Sequence, residues 1–123
     1  MKKIVFICTG NTCRSPMAKG IMDNILREKY PLLKEQIEIE TAGLMVFNGA
    51  PASAGAIRVM EEVGVDLLTH EAQMVSQEML DSAEWILAMT KGNKDYLSEQ
   101  FHQPQGLYTL YELVGEEKDI LDP

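Results

Sequence analysis

Short apolar runs alternate along this chain with longer stretches in which apolar residues recur at helical spacing. Lys3 to Ile7 is short, β-rich and apolar, which predicts a buried strand. Ser15-Pro16 reads as a helix N-cap followed by proline at the first helical position. Met17, Ile21, Ile25 and Leu26 then recur as a helix face until Tyr30-Pro31 stops it. Ile37-Glu38-Ile39-Glu40-Thr41 alternates as a second strand and ends at Ala42-Gly43, and a loop covers Gly43 to Gly49. Pro51 opens a helix whose apolar positions are Ala52, Ala56, Val59, Met60 and Val63, closed by Gly64. Val65 to Val75 is irregular. Ser76 caps a short helix through Leu80, Trp85 to Met89 is a third buried strand, and Thr90 caps a helix through Gln100. Leu107 to Leu110 is the last strand and Tyr111 to Val114 a helical turn.

Strands that alternate with helices imply right-handed crossovers and a parallel sheet covered on both faces, an α/β fold of three layers. Ligands of such sheets bind beyond the carboxyl ends of the strands, and Cys8 stands at that end of the first.

Composition narrows the partners. The 123 residues suffice for one domain with a core of its own, at 46% hydrophobic and 24% charged residues. A formal net charge of -8 argues against nucleic acid or a membrane surface as partner. It does not exclude an anionic substrate, because local donors can outweigh the overall field. No apolar span reaches transmembrane length. Met1-Lys2-Lys3 and the run after it imitate a secretory signal only until Thr9, Gly10, Asn11 and Arg14 interrupt it. The two cysteines, Cys8 and Cys13, are too few for a disulfide framework, and with His70 and His102 as the available partners they do not make a zinc site. They read as reactive thiols in a reducing, cytoplasmic setting, with neither metal nor cofactor implied.

The segment Cys8-Thr9-Gly10-Asn11-Thr12-Cys13-Arg14-Ser15 joins the first strand to the first helix. Backbone N–H groups of such a loop can curl around an oxyanion, and the helix adds its own N–H groups and the positive end of its dipole. Arg14 can fork onto two phosphate oxygens. The same positive environment favours the thiolate of Cys8, which could attack phosphorus and form a phosphocysteine that water then hydrolyses. Gly10 permits close backbone approach, Asn11 tolerates the left-handed region, and Ser15 can donate to the sulfur. A nucleotide P-loop is excluded because no Gly-Lys-Ser/Thr follows the glycine. The plainer alternative is a small buried cysteine and a surface arginine, and the strand before, Gly-Asn within and Ser-Pro after weigh against it.

The run Val5 to Ala18, with its Cys-x₅-Arg spacing from Cys8 to Arg14, resembles the N-terminus of the low-molecular-weight protein tyrosine phosphatases. Thr41-Ala42-Gly43, Ala83 to Thr90 and Asp119-Ile120-Leu121-Asp122-Pro123 resemble further segments of that family. The resemblance implies one phosphatase domain over residues 1–123, a four-stranded parallel sheet in the order 2-1-3-4, and the phosphate loop after strand 1. That domain would lack the C-terminal helix family members usually carry, leaving an apolar strip exposed. Catalysis falls to Cys8, Arg14 and Asp122. Asp122 acts as general acid toward the leaving group and then as base toward water, with Asp119 as its competitor or support. Phosphate binding falls to Thr9, Gly10, Asn11, Thr12, Cys13 and Ser15, and His70 is a structural partner of Asn11.

Thr12 is the specificity position. Tyrosine-directed members commonly carry an aliphatic residue there, whereas Thr resembles the bacterial protein-arginine phosphatase branch. Phosphoarginine on protein substrates is thus favoured and phosphotyrosine is the alternative, with inorganic phosphate or an analogue anion also fitting the loop. Phe47 could line the pocket mouth for either substrate or equally be a hydrophobic anchor for its loop. Cys13 could form a disulfide with an oxidised Cys8, or simply fill the underside of the loop. An arsenate reductase of this fold would need further cysteines downstream of Cys13. A non-catalytic phosphate-binding module would not need both a nucleophile and an acid. His102 reads as solvated, and Trp85 and the eight methionines as core or helix-face residues.

Overall fold

A computed structural model of the chain describes residues 1–102, 105–115 and 119–121. In chain order the elements are β1 (Lys2–Cys8), α1 (Arg14–Lys29), α2 (Pro31–Lys34), β2 (Ile37–Gly43), α3 (Ala54–Glu62), α4 (Gln77–Ser82), β3 (Trp85–Ala88), α5 (Lys91–Gln100), β4 (Leu107–Thr109) and α6 (Leu110–Leu113). The strands form one parallel sheet in the order β2-β1-β3-β4, as expected.

The period of two along β1 sorts its side chains onto two layers. Val5 and Ile7 enter a cluster with Leu80, Ile86 and Leu97, on the side of α4 and α5. Ile4, Phe6 and Cys8 enter another with Leu26, Leu87 and Met89, on the side of α1. Ile7 and Val5 are fully buried, and each such aliphatic side chain contributes about 1.5–3 kcal/mol of hydrophobic stabilisation. Cys8 therefore ends the central strand with its sulfur turned toward the start of α1. The register sets Cys8 opposite Gly43 at the end of β2.

Several boundaries depart from the periodicity. Cys13, not Ser15, is the N-cap of α1, and no side chain caps that helix. Ser15 lies in the first turn, buried and bonded elsewhere, so tertiary hydrogen bonds override the Ser-Pro capping preference. Ile21 and Ile25 are 48% and 45% exposed rather than core. With Met17, Met60, Met89 and Leu121 they line an apolar groove of about 520 Å³. The helix expected from Pro51 begins at Ala54, because Ser53 takes the N-cap and its hydroxyl accepts from Ala56 N. Val59 and Val63 are exposed, as are Trp85, Met1, Met45 and Met74, which were expected in the core or on a packed face. The caps at Ser76 and Thr90 are as expected.

Candidate active site

The residues after β1 form a tight loop because Asn11 adopts φ 57°, the left-handed region that asparagine tolerates better than most side chains. Its own N–H reaches back to Cys8 Sγ at 3.2 Å. Loop carbonyls are tied to surrounding backbone and side chains. Thr9 O accepts from Leu44 N and Met45 N at 2.9 and 3.0 Å, and Thr12 O accepts from Ser53 N at 2.8 Å. Asn11 O lies 2.6 Å from His70 Nε2. A carbonyl can only accept, so Nε2 carries the hydrogen and His70 donates. In a planar trans peptide the N–H opposes the preceding C=O. Anchoring these three carbonyls on outside partners therefore turns the N–H groups of Gly10, Thr12 and Cys13 away from those partners.

The Asn11 side chain fixes the direction of a second chain of hydrogen bonds. Gln73 N can only donate, and it lies 2.9 Å from Asn11 Oδ1. The amide nitrogen thus faces Ser15 and donates to its hydroxyl oxygen at 2.8 Å. Ser15 Oγ is 2.9 Å from Cys8 Sγ, and with its acceptor side engaged it has its own hydrogen to offer the sulfur. Asn11 and Ser15 are 0% exposed and Cys8 2%, so this polar set is satisfied internally, as buried polar groups must be.

Helix α1 adds its field. It has no acidic residue in its first turn and no side-chain cap, so the partial positive charge at its start is not offset locally. Arg14 is its first residue, half-buried, and donates from Nη1 to Ile120 O at 2.9 Å. The sulfur, the N–H groups, the helix start and the guanidinium together can hold a tetrahedral oxyanion over a nucleophile.

Thr12 is half-buried on this loop. The side chain of Cys13 packs on the cluster of Ala52, Ala56, Met60 and Leu67, beneath the loop. Phe47 is 89% exposed, on a segment held to the site through Leu44 and Met45. His102 is exposed. Asp122 lies outside the described residues. Asp119 accepts from Lys91 N at 2.7 Å, which makes it a support of α5. Besides the N–H groups of Leu44, Met45 and Ser53, three contributors were not anticipated from sequence. Gln73 and Ile120 act through backbone groups, which leave no trace in residue type. Asn93 donates to Thr9 Oγ1 at 3.2 Å, and its only sequence signal is an asparagine in a helix, where that residue is a poor former.

Comparison with known proteins places the fold in a family. The family described as low molecular weight phosphotyrosine protein phosphatase matches residues 3–123. A protein-arginine-phosphatase of Geobacillus stearothermophilus is 37% identical over 98% of this chain and 78% of its own length. The crystal structure of a low molecular weight protein tyrosine phosphatase from T. tengcongensis superposes with a TM-score of 0.90 at 38% identity, covering 100% of this chain and 82% of that one. A mutant of the YwlE arginine phosphatase with a phosphorylated active-site serine superposes with a TM-score of 0.87 at 32% identity, covering 98% and 78%. The chain belongs to the low molecular weight phosphotyrosine protein phosphatase family.

Proposed function

We propose that this chain is a cysteine-dependent phosphoprotein phosphatase that works through a phosphocysteine intermediate and favours phosphoarginine. The observation that carries the reading is the position of Cys8 Sγ, 3.2 Å from Asn11 N and 2.9 Å from Ser15 Oγ, beneath a loop whose carbonyls are anchored outward.

In the first step the Cys8 thiolate attacks phosphorus, the S–P bond forms as the P–N bond to the arginine side chain breaks, and Asp122 gives its proton to the leaving nitrogen. In the second step Asp122 takes a proton from water, the water oxygen displaces sulfur, and phosphate is released while Ser15 donates to the departing thiolate. Arg14 and the N–H groups of Gly10, Thr12 and Cys13 stabilise the equatorial oxygens in both steps, while the Asn11 N–H stays on the sulfur. The role of Asp122 rests on the family resemblance.

Thr12 carries the substrate preference. A short polar side chain suits a wet, planar guanidinium better than a phenyl ring. The likeness to the Geobacillus arginine phosphatase supports phosphoarginine. The similar likeness to the T. tengcongensis tyrosine phosphatase supports phosphotyrosine as the second reading. A peroxide would oxidise Cys8 to the sulfenic acid, which the Cys13 thiol would convert to a disulfide with loss of water. Cys13 must first leave its packing on the α3 cluster. Cys8 and Cys13, read as reactive thiols, fit a reducing, cytoplasmic setting, and the net charge of -8 fits action on phosphorylated proteins rather than on nucleic acid or a membrane surface. Among the described residues no helix is long and apolar enough to cross a membrane.

The test is hydrolysis of phosphoarginine against phosphotyrosine peptides by the native chain and by Thr12→Ile. Native preference for phosphoarginine that moves toward phosphotyrosine on replacement supports the assignment, and equal phosphotyrosine preference in both defeats it. Cys8→Ser loses turnover but keeps phosphate binding; persistent turnover rejects covalent catalysis. Turnover of p-nitrophenyl phosphate separates an enzyme from a binding module, and arsenate with thioredoxin tests the reductase.

A further inference from the structure

Arg14, the proposed phosphate ligand, is held by a segment far away in sequence. Arg14 Nη1 donates to Ile120 O at 2.9 Å. That carbonyl belongs to a residue fixed on its other side, since Ile120 N donates to Met89 O at 2.9 Å. Met89 in turn donates from its N–H to Ile7 O at 2.9 Å, next to the nucleophile in β1. The Ile120 side chain packs against the cluster that contains Phe6, Cys8 and Met89. The neighbouring Asp119 closes the frame. Its Oδ1 accepts the N–H of Lys91, the first residue of α5, at 2.7 Å.

The distance of 2.7 Å is that of a charge-assisted bond. Its donor is one of the helix N–H groups that have no partner within the helix, and the carboxylate meets the positive end of that helix. The same first turn holds the other side of the loop, because Asn93 on α5 donates to Thr9 Oγ1 at 3.2 Å. The start of α5 thus braces Thr9 directly and Arg14 through Asp119 and Ile120.

We infer that Asp119 is a positioning residue for anion binding: by bonding Lys91 N it fixes the Ile120 carbonyl that orients the Arg14 guanidinium. This rests on the proposed reading of Arg14 as a phosphate ligand. It also separates the two acidic residues of the segment. A carboxylate spent on a backbone N–H of α5 is a support, and the proton transfers remain with Asp122.

The geometry makes the bond testable from both partners. Asp119→Ala removes the acceptor. Lys91→Pro removes the donor at a position where proline is favoured, and Thr90 before it is already extended at φ −136° and ψ 160°, as a residue preceding proline prefers. Asp119→Asn keeps an acceptor oxygen. The measurements are the inhibition constant of inorganic phosphate, kcat and KM for p-nitrophenyl phosphate over a pH series, and the unfolding midpoint of each full-length variant.

Asp119→Ala and Lys91→Pro should each weaken phosphate inhibition and raise KM by roughly tenfold, about the worth of one charge-assisted hydrogen bond. The limbs of the pH profile should stay in place, and Asp119→Asn, which keeps the acceptor but not the charge, should recover part of the loss in both constants. In an Arg14→Lys background, Asp119→Ala should add little, since the guanidinium it orients is gone. The inference is overturned if neither Asp119→Ala nor Lys91→Pro changes phosphate inhibition, or if Asp119→Asn is as weak as Asp119→Ala. It is equally overturned if the effects of Asp119→Ala and Arg14→Lys simply multiply, or if Asp119→Ala abolishes the alkaline limb, which would make it the acid. Should Arg14→Lys itself leave phosphate inhibition unchanged, the reading of the anion site falls along with the inference; should Arg14→Lys weaken binding and Asp119→Ala not, the positioning role alone falls.

Discussion

Ser15 Oγ stands 2.9 Å from Cys8 Sγ while accepting the Asn11 amide hydrogen at 2.8 Å, so its own proton faces the sulfur. A hydroxyl so directed stabilises a thiolate more than a thiol or thioester-like sulfur, and its effect is largest when sulfur leaves phosphorus. Ser15→Ala should therefore lower kcat by about 10- to 100-fold, the worth of a hydrogen bond to a charged group, and leave the inhibition constant of phosphate nearly unchanged. Rapid mixing with p-nitrophenyl phosphate should show a burst of nitrophenol followed by slow turnover, as phosphocysteine accumulates. An unchanged kcat would remove Ser15 from the second step.

Asn11 combines a left-handed backbone with side-chain and carbonyl bonds to Gln73, Ser15 and His70. Asn11→Ala loses the side-chain bonds, leaves buried partners unsatisfied and places a Cβ residue in the left-handed region. The total should be about 3 kcal/mol in urea unfolding. Asn11→Gly suffers the same loss of bonds without the backbone penalty, so it should be about 1 kcal/mol more stable than the alanine variant. Equal stability of the two would mean that the backbone conformation carries no strain there.

The loop after β1 was legible because its parts are consecutive: strand, Cys8, Gly10-Asn11, Arg14 and the helix start follow one another between Lys3 and Ser15. Alternation of strand and helix patterns likewise gave the parallel sheet and put Cys8 at its carboxyl edge. What could not be read are contacts made by backbone groups from elsewhere, such as Gln73 N, Ser53 N and Ile120 O, since any residue type offers the same atoms. The sequence placed the Ser15 hydroxyl correctly on the Cys8 sulfur, but its reading as an N-cap failed for the opposite reason. Its type and its proline neighbour favour a cap, but a buried sulfur and amide give the hydroxyl better partners than the helix N–H groups do. Ile21 and Ile25 have the right spacing for a core face, yet among the described residues they border a groove rather than a packed layer.

Gly43 ends β2 opposite Cys8, and a Cβ placed there would overlap Val46 Cγ2 and lie 2.8 Å from Thr9 O. The valine methyl can rotate away, but the Thr9 carbonyl belongs to the loop after β1 and is held by Leu44 N and Met45 N. Moving it turns the Gly10 N–H with it. Gly43→Ala should lose about 1–3 kcal/mol of stability through overpacking and weaken phosphate inhibition in the fraction that folds. If stability falls and the phosphate inhibition constant does not, the Thr9 peptide is not part of the anion cradle.

Glu112 offers a pH test remote from the site. Its carboxylate accepts from Lys94 Nζ at 2.9 and 3.0 Å and from Thr109 N at 3.1 Å, closing the capping box of α6. The Lys94 hydrogen bond, followed by the Thr109 N–H, holds its pKa below the ordinary value of 4.5. A carboxylate with a depressed folded-state pKa adds stability that is complete above its unfolded value and is lost as pH falls through the folded one. The pair is largely solvated, so the effect is small. Glu112→Gln retains an acceptor for Thr109 N while removing the charge. Its unfolding midpoint should sit slightly below that of the parent at pH 7, and the two should converge as the pH drops from 4.5 through the lower folded value. A gap that stays constant into acid would show that the ionised form of Glu112 contributes nothing beyond its hydrogen bonds.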